Sequence, residues 1–434
     1  MKMYDAAVIG GGLAGLIAAI DLARAKKSVI LLEKSSRVGG RAVSTRKDGA
    51  IFNLGGHALY PGGEAYQILQ ELGVKLEGGS PPAKGLALWR GRLTTLPGDP
   101  ASLLASKLLS WPGKIELGRF MLKLGKLETH ALPNIALRDW AEREIRDPMV
   151  RHLFYALCRT STYVQDPDRQ SVGPVLRQVQ RSLKSGVLYL NGGWQRVVDQ
   201  LHDLAARAGV TVLNNKNVTG LLQENGVVRG LQCTDGELVC TPNVIATGSP
   251  ADTYRLLGEA AERTALRRWK NDARPASAAC LDLGLNRLPV ADRHFAIGLD
   301  QPIFFSHHSR VAKLSHNGTL VMHLIKYNGS GDSHPQADER ALEQTMDLLH
   351  PGWQQEVVAR QYLPNITVVH DYMHIGRQDS QPGPAVSEVR GLYVAGDWAS
   401  HGEMLADAAA ASARRAALRL LKDLAATANH AITV

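Results

Sequence analysis

Gly10, Gly12 and Gly15 stand in the run DAAVIGGGLAGLIAAIDLARAKKSVILLEKS, and this run constrains the fold more than any other stretch of the chain. An apolar strand, a G-x-G-x-x-G turn, a helix and a second apolar strand make a βαβ unit. Gly10 permits the tight turn, Gly12 lets a phosphate approach the backbone, and Gly15 lets the helix pack on the strand. The helix opens at Leu13 and Ala14, and its unpaired N–H groups and positive dipole end face an anion. Glu33 ends the second strand, with Lys34 beside it, where a carboxylate accepts hydrogen bonds from both ribose hydroxyls. That acid disfavours a 2′-phosphate, so a dinucleotide other than NADP is expected.

NAD and FAD share the adenosine half, and the segment EKSSRVGGRAVST separates them. Gly39, Gly40 and Arg41 follow the acidic strand end, giving close backbone contact beyond the adenosine and a cation for the pyrophosphate. Near the other end of the chain, GLYVAGDWASHGEMLADAAAASARRAALRLL reads as a short strand, a Gly396-Asp397-Trp398 turn and a long Ala-rich helix. On these segments the sequence resembles the flavin-containing superfamily of amine oxidases, protoporphyrinogen oxidases and phytoene desaturases. IFNLGGHALYP at 51–61, YLNGGWQRVVDQL at 189–201 and NVTGLL at 217–222 follow in that superfamily's order.

The resemblance implies FAD as cofactor. It assigns the residues of the first glycine turn and Glu33 to the ADP portion, Gly39, Gly40 and Arg41 to pyrophosphate and ribityl, and Val218 to adenine through its backbone. Asp397, after Gly396, is implied on ribityl or phosphate. The helix beginning near Met404 and Leu405 is expected to aim its N–H groups at the isoalloxazine O2, favouring hydride acceptance by the ring. Ala411-Ser412-Ala413 stands where many relatives carry Glu-Ser-Gly, so this steering is expected from the backbone dipole. No cysteine lies near the closing turn, and His401 reads as a turn residue, so the flavin is expected to be non-covalent.

The expected fold class is α/β: a discontinuous Rossmann-like FAD-binding domain at 1–83, 186–275 and 376–434, with an α+β substrate domain from the insertions 84–185 and 276–375. A helix over 66–73 ending at Gly73, helices over 136–185, and hairpins at the ENG and TDG turns are read from the patterning.

For the redox end, Gly55 and Gly56 precede His57 and Tyr60, which either reach the flavin or substrate edge or pack and bond backbone. Trp398 and Glu403 flank the closing turn as pocket candidates, Glu403 equally as a helix N-terminal charge. Amine oxidases of the superfamily commonly carry a lysine on the strand corresponding to ASAACLDLGLNRLP (276–289), where this chain has Ala and Cys. The segments at 140–172 and 300–327 look like phytoene desaturase relatives. The expected reaction is a hydride-transfer desaturation of a mainly apolar small molecule. The alternatives are amine or amino-acid oxidation with O2, and a redox-inactive FAD-binding protein.

The net charge of +9 raises nucleic acid or anionic membrane as partners. With 6% aromatic residues the chain offers few bases a stacking platform, so nucleic acid is not expected. Over 84–126 eight cations face two acids, Asp99 and Glu116. Leu117, Phe120, Met121 and Leu124 there share a helical face, which reads either as peripheral membrane contact through 101–127 or as core packing. Four cysteines without C-x-x-C spacing argue against a disulfide framework or a zinc site. MKMYDAAVIGGG enters a strand at once, so no secretory leader and a cytoplasmic location are expected, at the inner face of a membrane if 101–127 binds lipid.

Overall fold

The computed structural model describes residues 2–82, 84–329, 333–377 and 381–432, with side chains to 427. The glycine turn joins β1 (Ala6–Ile9), α1 (Leu13–Arg24) and β2 (Val29–Leu32) in a parallel βαβ unit, with Ala6 beside Val29 and Ile9 beside Leu32. A Cβ on Gly15 would lie 1.9 Å from the Gly10 carbonyl oxygen, so only glycine lets α1 sit this close. Three further strands complete a five-stranded parallel sheet in the order Leu392–Val394, Val244–Ala246, β1, β2, Thr211–Leu213. Distant parts of the chain therefore build one sheet. Its central strands are apolar and, Ile9 apart, buried, as expected where helices cover both faces. The closing helix, Leu405–Ile432, packs along α1, and its alanines 410, 413, 416 and 417 are fully buried there. The Ala-rich composition is thus a close helix–helix contact.

The second body is a seven-stranded sheet in the order Val357–Val369, Ala276–Leu285, Leu320–Gly329, Ile303–His307, Phe295–Gly298, Leu86–Trp89, Arg92–Thr95. The three that matter below are β3 (Ala276–Leu285), β4 (Leu320–Gly329) and β5 (Val357–Val369), with β3 antiparallel to both neighbours. The hairpin 86–95 joins this sheet by parallel pairing of Leu86–Leu88 with Ala296–Gly298, so both insertions share one sheet. Four-residue strands interrupted by turns leave too little periodicity for the sequence to announce them. Elsewhere Gly73 closes the helix Glu64–Leu72 at φ +92°, and Asn225 and Gly226, at φ +50° and +72°, form the ENG hairpin.

The basic helix, Trp111–Lys126, bears out the core-packing reading of its Leu117–Leu124 face. Leu117, Phe120 and Leu124 do not face outward: they are buried, with Phe120 edge-on to Phe154 and tilted against Trp140. The outward stripe is a different one, Trp111, Ile115 and Leu122, at 66%, 52% and 72% exposure. Positions i, i+4 and i+11 lie on one side of a helix. Among the described residues no helix is long and apolar enough to cross a membrane.

Phe120→Ala should therefore destabilise the protein by about 3–5 kcal/mol in denaturant unfolding. Leu122→Ser should change it by no more than about 0.5 kcal/mol. Equal effects would show that the buried face is assigned wrongly.

Candidate active site

The first glycine turn and the second are zipped together. Gly39 N–H donates to Gly11 O at 2.7 Å, and Gly12 bridges Gly39 as in a parallel sheet. Gly10 (φ +102°), Gly39 (φ +126°) and Gly40 (φ +52°) all occupy conformations that side chains resist. Gly12 is the N-cap of α1, with no side-chain cap and no acid in the first turn, and a Cβ there would meet nothing within 4 Å. A helix N-terminus left uncapped beside open backbone fits a pyrophosphate. Leu13 and Ala14 are buried beneath it, and Lys34 is exposed at the rim.

Glu33 is buried, its Oε2 accepting from Gly11 N–H at 2.7 Å and its Oε1 from Ser35 N–H at 2.8 Å. A carboxylate has about four acceptor positions, so lone pairs remain for a ribose diol. Lys216 N–H donates to Glu33 O and Asn215 N–H to Ser35 O, which delivers Val218 to this end of the site. Beside it a cleft of about 700 Å³ is bordered by Arg37, Arg46, Gln195, Asp199, His202 and Asn214.

Asp397 gathers the remaining segments. Arg41 donates to both of its oxygens at 3.0 Å, the His370 N–H donates at 2.8 Å, and His370 Nδ1 lies 3.0 Å from it. Arg41 also donates to Val368 O at 2.9 Å. Burial alone would push the Asp397 carboxyl up, but Arg41 and His370 hold it well below the usual range. Arg41, implied on the pyrophosphate, is thus turned onto Asp397, with its side chain still 40% exposed. Gly396 (φ +139°) exchanges hydrogen bonds with the Ser412 hydroxyl, fixing the turn on the closing helix. Leu405 opens that helix at φ +57°, a strained left-handed position worth roughly 1–3 kcal/mol.

In the segment expected at the redox end, Gly55 (φ +85°) and Gly56 press on the second sheet: Cβ atoms there would lie 2.7 Å from Cys280 Sγ and 2.9 Å from Ile325 Cδ1. His57 Nδ1 is 3.0 Å from Gly55 O. Tyr60 is buried and donates to Ser161 O at 3.0 Å, so it braces the helical layer. Trp398 does not line the pocket: at 1% exposure it packs against Trp269 and donates to Gly248 O, in the core behind the FAD-domain sheet. Glu403 pairs with Arg415 and accepts from His401 N–H, holding the loop before the closing helix. It also borders a small cavity with Asp371, Asp397 and Met404.

Sequence reasoning missed three buried carboxylates near the site. Asp407 accepts from Ala65 N–H and from Arg181, and burial pushes it up to about 6. Asp371 accepts from Arg274 N–H, and burial pushes it up to about 7. Asp282 pairs with His323. The partners of Asp282 and Asp407 lie on other elements, so no spacing announces them. Asp371 has His374 and Arg377 nearby in the chain but takes its backbone donor from Arg274. Among the described residues no His, Cys, Asp or Glu group could hold a metal ion.

Similarity to known proteins accords with this geometry. The chain is 25% identical over 205 residues to chloroplastic protoporphyrinogen oxidase 1 of Arabidopsis thaliana, covering 45% of this chain and 37% of that protein. It is 26% identical over 279 residues to phytoene desaturase of Cercospora nicotianae, covering 54% and 43%. The chain thus spans less than half the length of these two relatives. Cyclohexylamine oxidase of Brevibacterium oxydans shares the fold, with a TM-score of 0.73 at 18% identity over 97% of this chain and 99% of that one. The sequence pattern of the flavin-containing amine oxidoreductases matches residues 13–279, more than half of the chain, and the chain belongs to that family.

Proposed function

We propose that the chain is an FAD-dependent oxidoreductase that removes hydride from a mainly apolar small molecule, a desaturation in type. One observation carries this reading: the side chains that press closest on Gly55–Gly56, those of Cys280, Ile366 and Ile325, are apolar, with the backbone end of His323 behind them. Cys280 and Ile325 belong, with Ala278 and Tyr327, to one hydrophobic cluster that Leu363, Ile366 and Met404 extend. A charged amine would enter that surroundings at a high desolvation cost. Phytoene desaturase among the relatives supports the same reading, whereas the family description and cyclohexylamine oxidase favour amine oxidation.

FAD, when bound, supplies the two-electron chemistry. The chain's own residues would bind and orient it: the glycine cradle and α1 would hold the diphosphate, Glu33 the ribose, and Asp397 with Arg41 the middle of the cofactor. Gly55, Gly56 and His57 would border the reacting end, with the second sheet behind them. Anaerobic mixing of the flavoprotein with apolar polyenes in detergent should bleach the flavin. Bleaching by amines or amino acids instead would establish the alternative oxidation, and bleaching by neither class would leave a redox-inactive FAD-binding protein.

The exposed stripe of the basic helix supports a partner as well: an anionic bilayer surface. Trp111, Ile115 and Leu122, with Leu104 nearby at 60% exposure, offer apolar area for the lipid boundary. Lys107, Lys114, Arg119 and Lys126 surround it and form no ion pair among the described residues, whereas Lys123 pairs with Glu144. The wild type should co-sediment with vesicles containing phosphatidylserine, less so at high salt, and Trp111→Ser/Leu122→Ser should lose this. Equal recovery with neutral vesicles, or no binding to either, would contradict the assignment.

A further inference from the structure

A polar row crosses the second sheet directly behind the Gly55–His57 segment. Gln361 on β5, Asp282 on β3 and His323 on β4 are register neighbours, and Ser306 continues the row on the next strand. Asp282 and His323 are both fully buried. His323 Nδ1 lies 2.5 Å from Asp282 Oδ1, and Gln361 Nε2–H donates to the other carboxylate oxygen at 2.8 Å. Gln361 also donates to Asn53 O at 3.0 Å, tying the row to the strand that runs into Gly55. A Cβ on Gly56 would lie 3.6 Å from His323 Cβ, so the pair lies against the backbone that carries His57.

The far nitrogen, His323 Nε2, is buried and has no hydrogen-bond partner. Leaving such an atom unpaired costs about 1–3 kcal/mol, which a purely structural histidine would avoid. Its carboxylate partner fixes the tautomer: Nδ1–H donates to Asp282, and Nε2 carries the lone pair. The ring of His308 stands 4.2 Å from that of His323 and stacks at 3.7 Å on Tyr189, which bonds Ser306. The surrounding ionisable groups are His57, with Arg41 in electrostatic reach, His308, with His307 behind it, the Cys280 thiol and Tyr189. Burial disfavours charge on His57 and His308. Of the three histidines, only His323 has a carboxylate against its ring.

We propose that Asp282 and His323 are a proton-holding pair of the redox site, in which His323 Nε2 binds one proton from solvent when negative charge arrives beside Gly55–His57. The inference rests on the reading that the chain holds FAD. Two electrons and one proton reach the cofactor, together as hydride from the donor, or as electrons from the electrode with a proton from solvent. A second proton forms an N–H bond at His323, and no other bond forms or breaks. The negative charge at the ring favours the imidazolium electrostatically, and Asp282 supplies its standing counter-charge. His323 acts here as a positioning residue for charge rather than as a group that touches substrate.

The test is proton uptake during electrochemical reduction of the holoprotein, read with a pH indicator in weak buffer at neutral to mildly alkaline pH. The wild type should take up one proton more per flavin reduced than His323→Gln. In Asp282→Asn, which removes the counter-charge, the extra uptake should be lost. A merely structural pair would change thermal stability and leave the proton count alone. If His323→Gln loses its flavin, the uptake of Asp282→Asn decides. Wild-type uptake equal to that of the ring alone overturns the proposal whatever the variants do. Absence of flavin absorbance at the outset contradicts the cofactor reading as well, whereas flavin present with unaltered uptake contradicts only this one.

Discussion

The contact between Arg41 and Asp397 joins residues 356 positions apart, and the architecture of the site depends on it. Asp397 follows the strand Leu392–Val394, Arg41 follows the second glycine turn, and His370 and Val368 come from the end of β5. One carboxylate thus ties the FAD-domain sheet, the glycine cradle and the second sheet at a single point. Removing one partner from a fully buried pair costs about 3–5 kcal/mol. Arg41 is 40% exposed, so water screens part of that, and the geometric role outweighs the energetic one.

Around this point the protein keeps more carboxylates than a core ordinarily tolerates, and it treats them differently. Asp397 is ionised by Arg41 and His370, so its contribution to stability is present above the ordinary carboxyl range and is lost only as pH falls far below it. Asp371, a few residues beyond β5, is pushed up to about 7 by burial, with the charge of Asp397 adding to the effect and Arg377 opposing it. The stability linked to its proton is full below the ordinary 3.8 and is lost as pH rises through about 7. Two adjacent acids with opposite pH behaviour keep the net charge near the cofactor end low without removing the carboxylate that Arg41 needs.

The parts legible in the sequence are those whose physics is local. The glycine turn, Glu33 at a strand end, Gly73 in a left-handed cap and the ENG hairpin each follow from a few adjacent residues, and each stands where the patterning puts it. The rest depends on what another element brings. Phe120 and Leu122 are equally apolar, and the helices Leu137–Glu144 and Pro148–Thr162, with Trp140 and Phe154, decide which one is buried. Trp398 sits beside the closing turn, yet its indole faces the core because Gly248 O and Trp269 are there to receive it. Asp282 and His323 are 41 positions apart, and only the register of β3 on β4 makes them a pair.

The central claim is that three distant segments close on one FAD, with Asp397 at their junction. Its most direct measurement is the flavin content of natively purified wild type and Asp397→Ala, by absorbance before and after denaturation. The account requires about one FAD per chain in the wild type, released on unfolding, with most of it lost in the variant. A colourless wild type, or a variant that retains flavin as well as the wild type does, would contradict it.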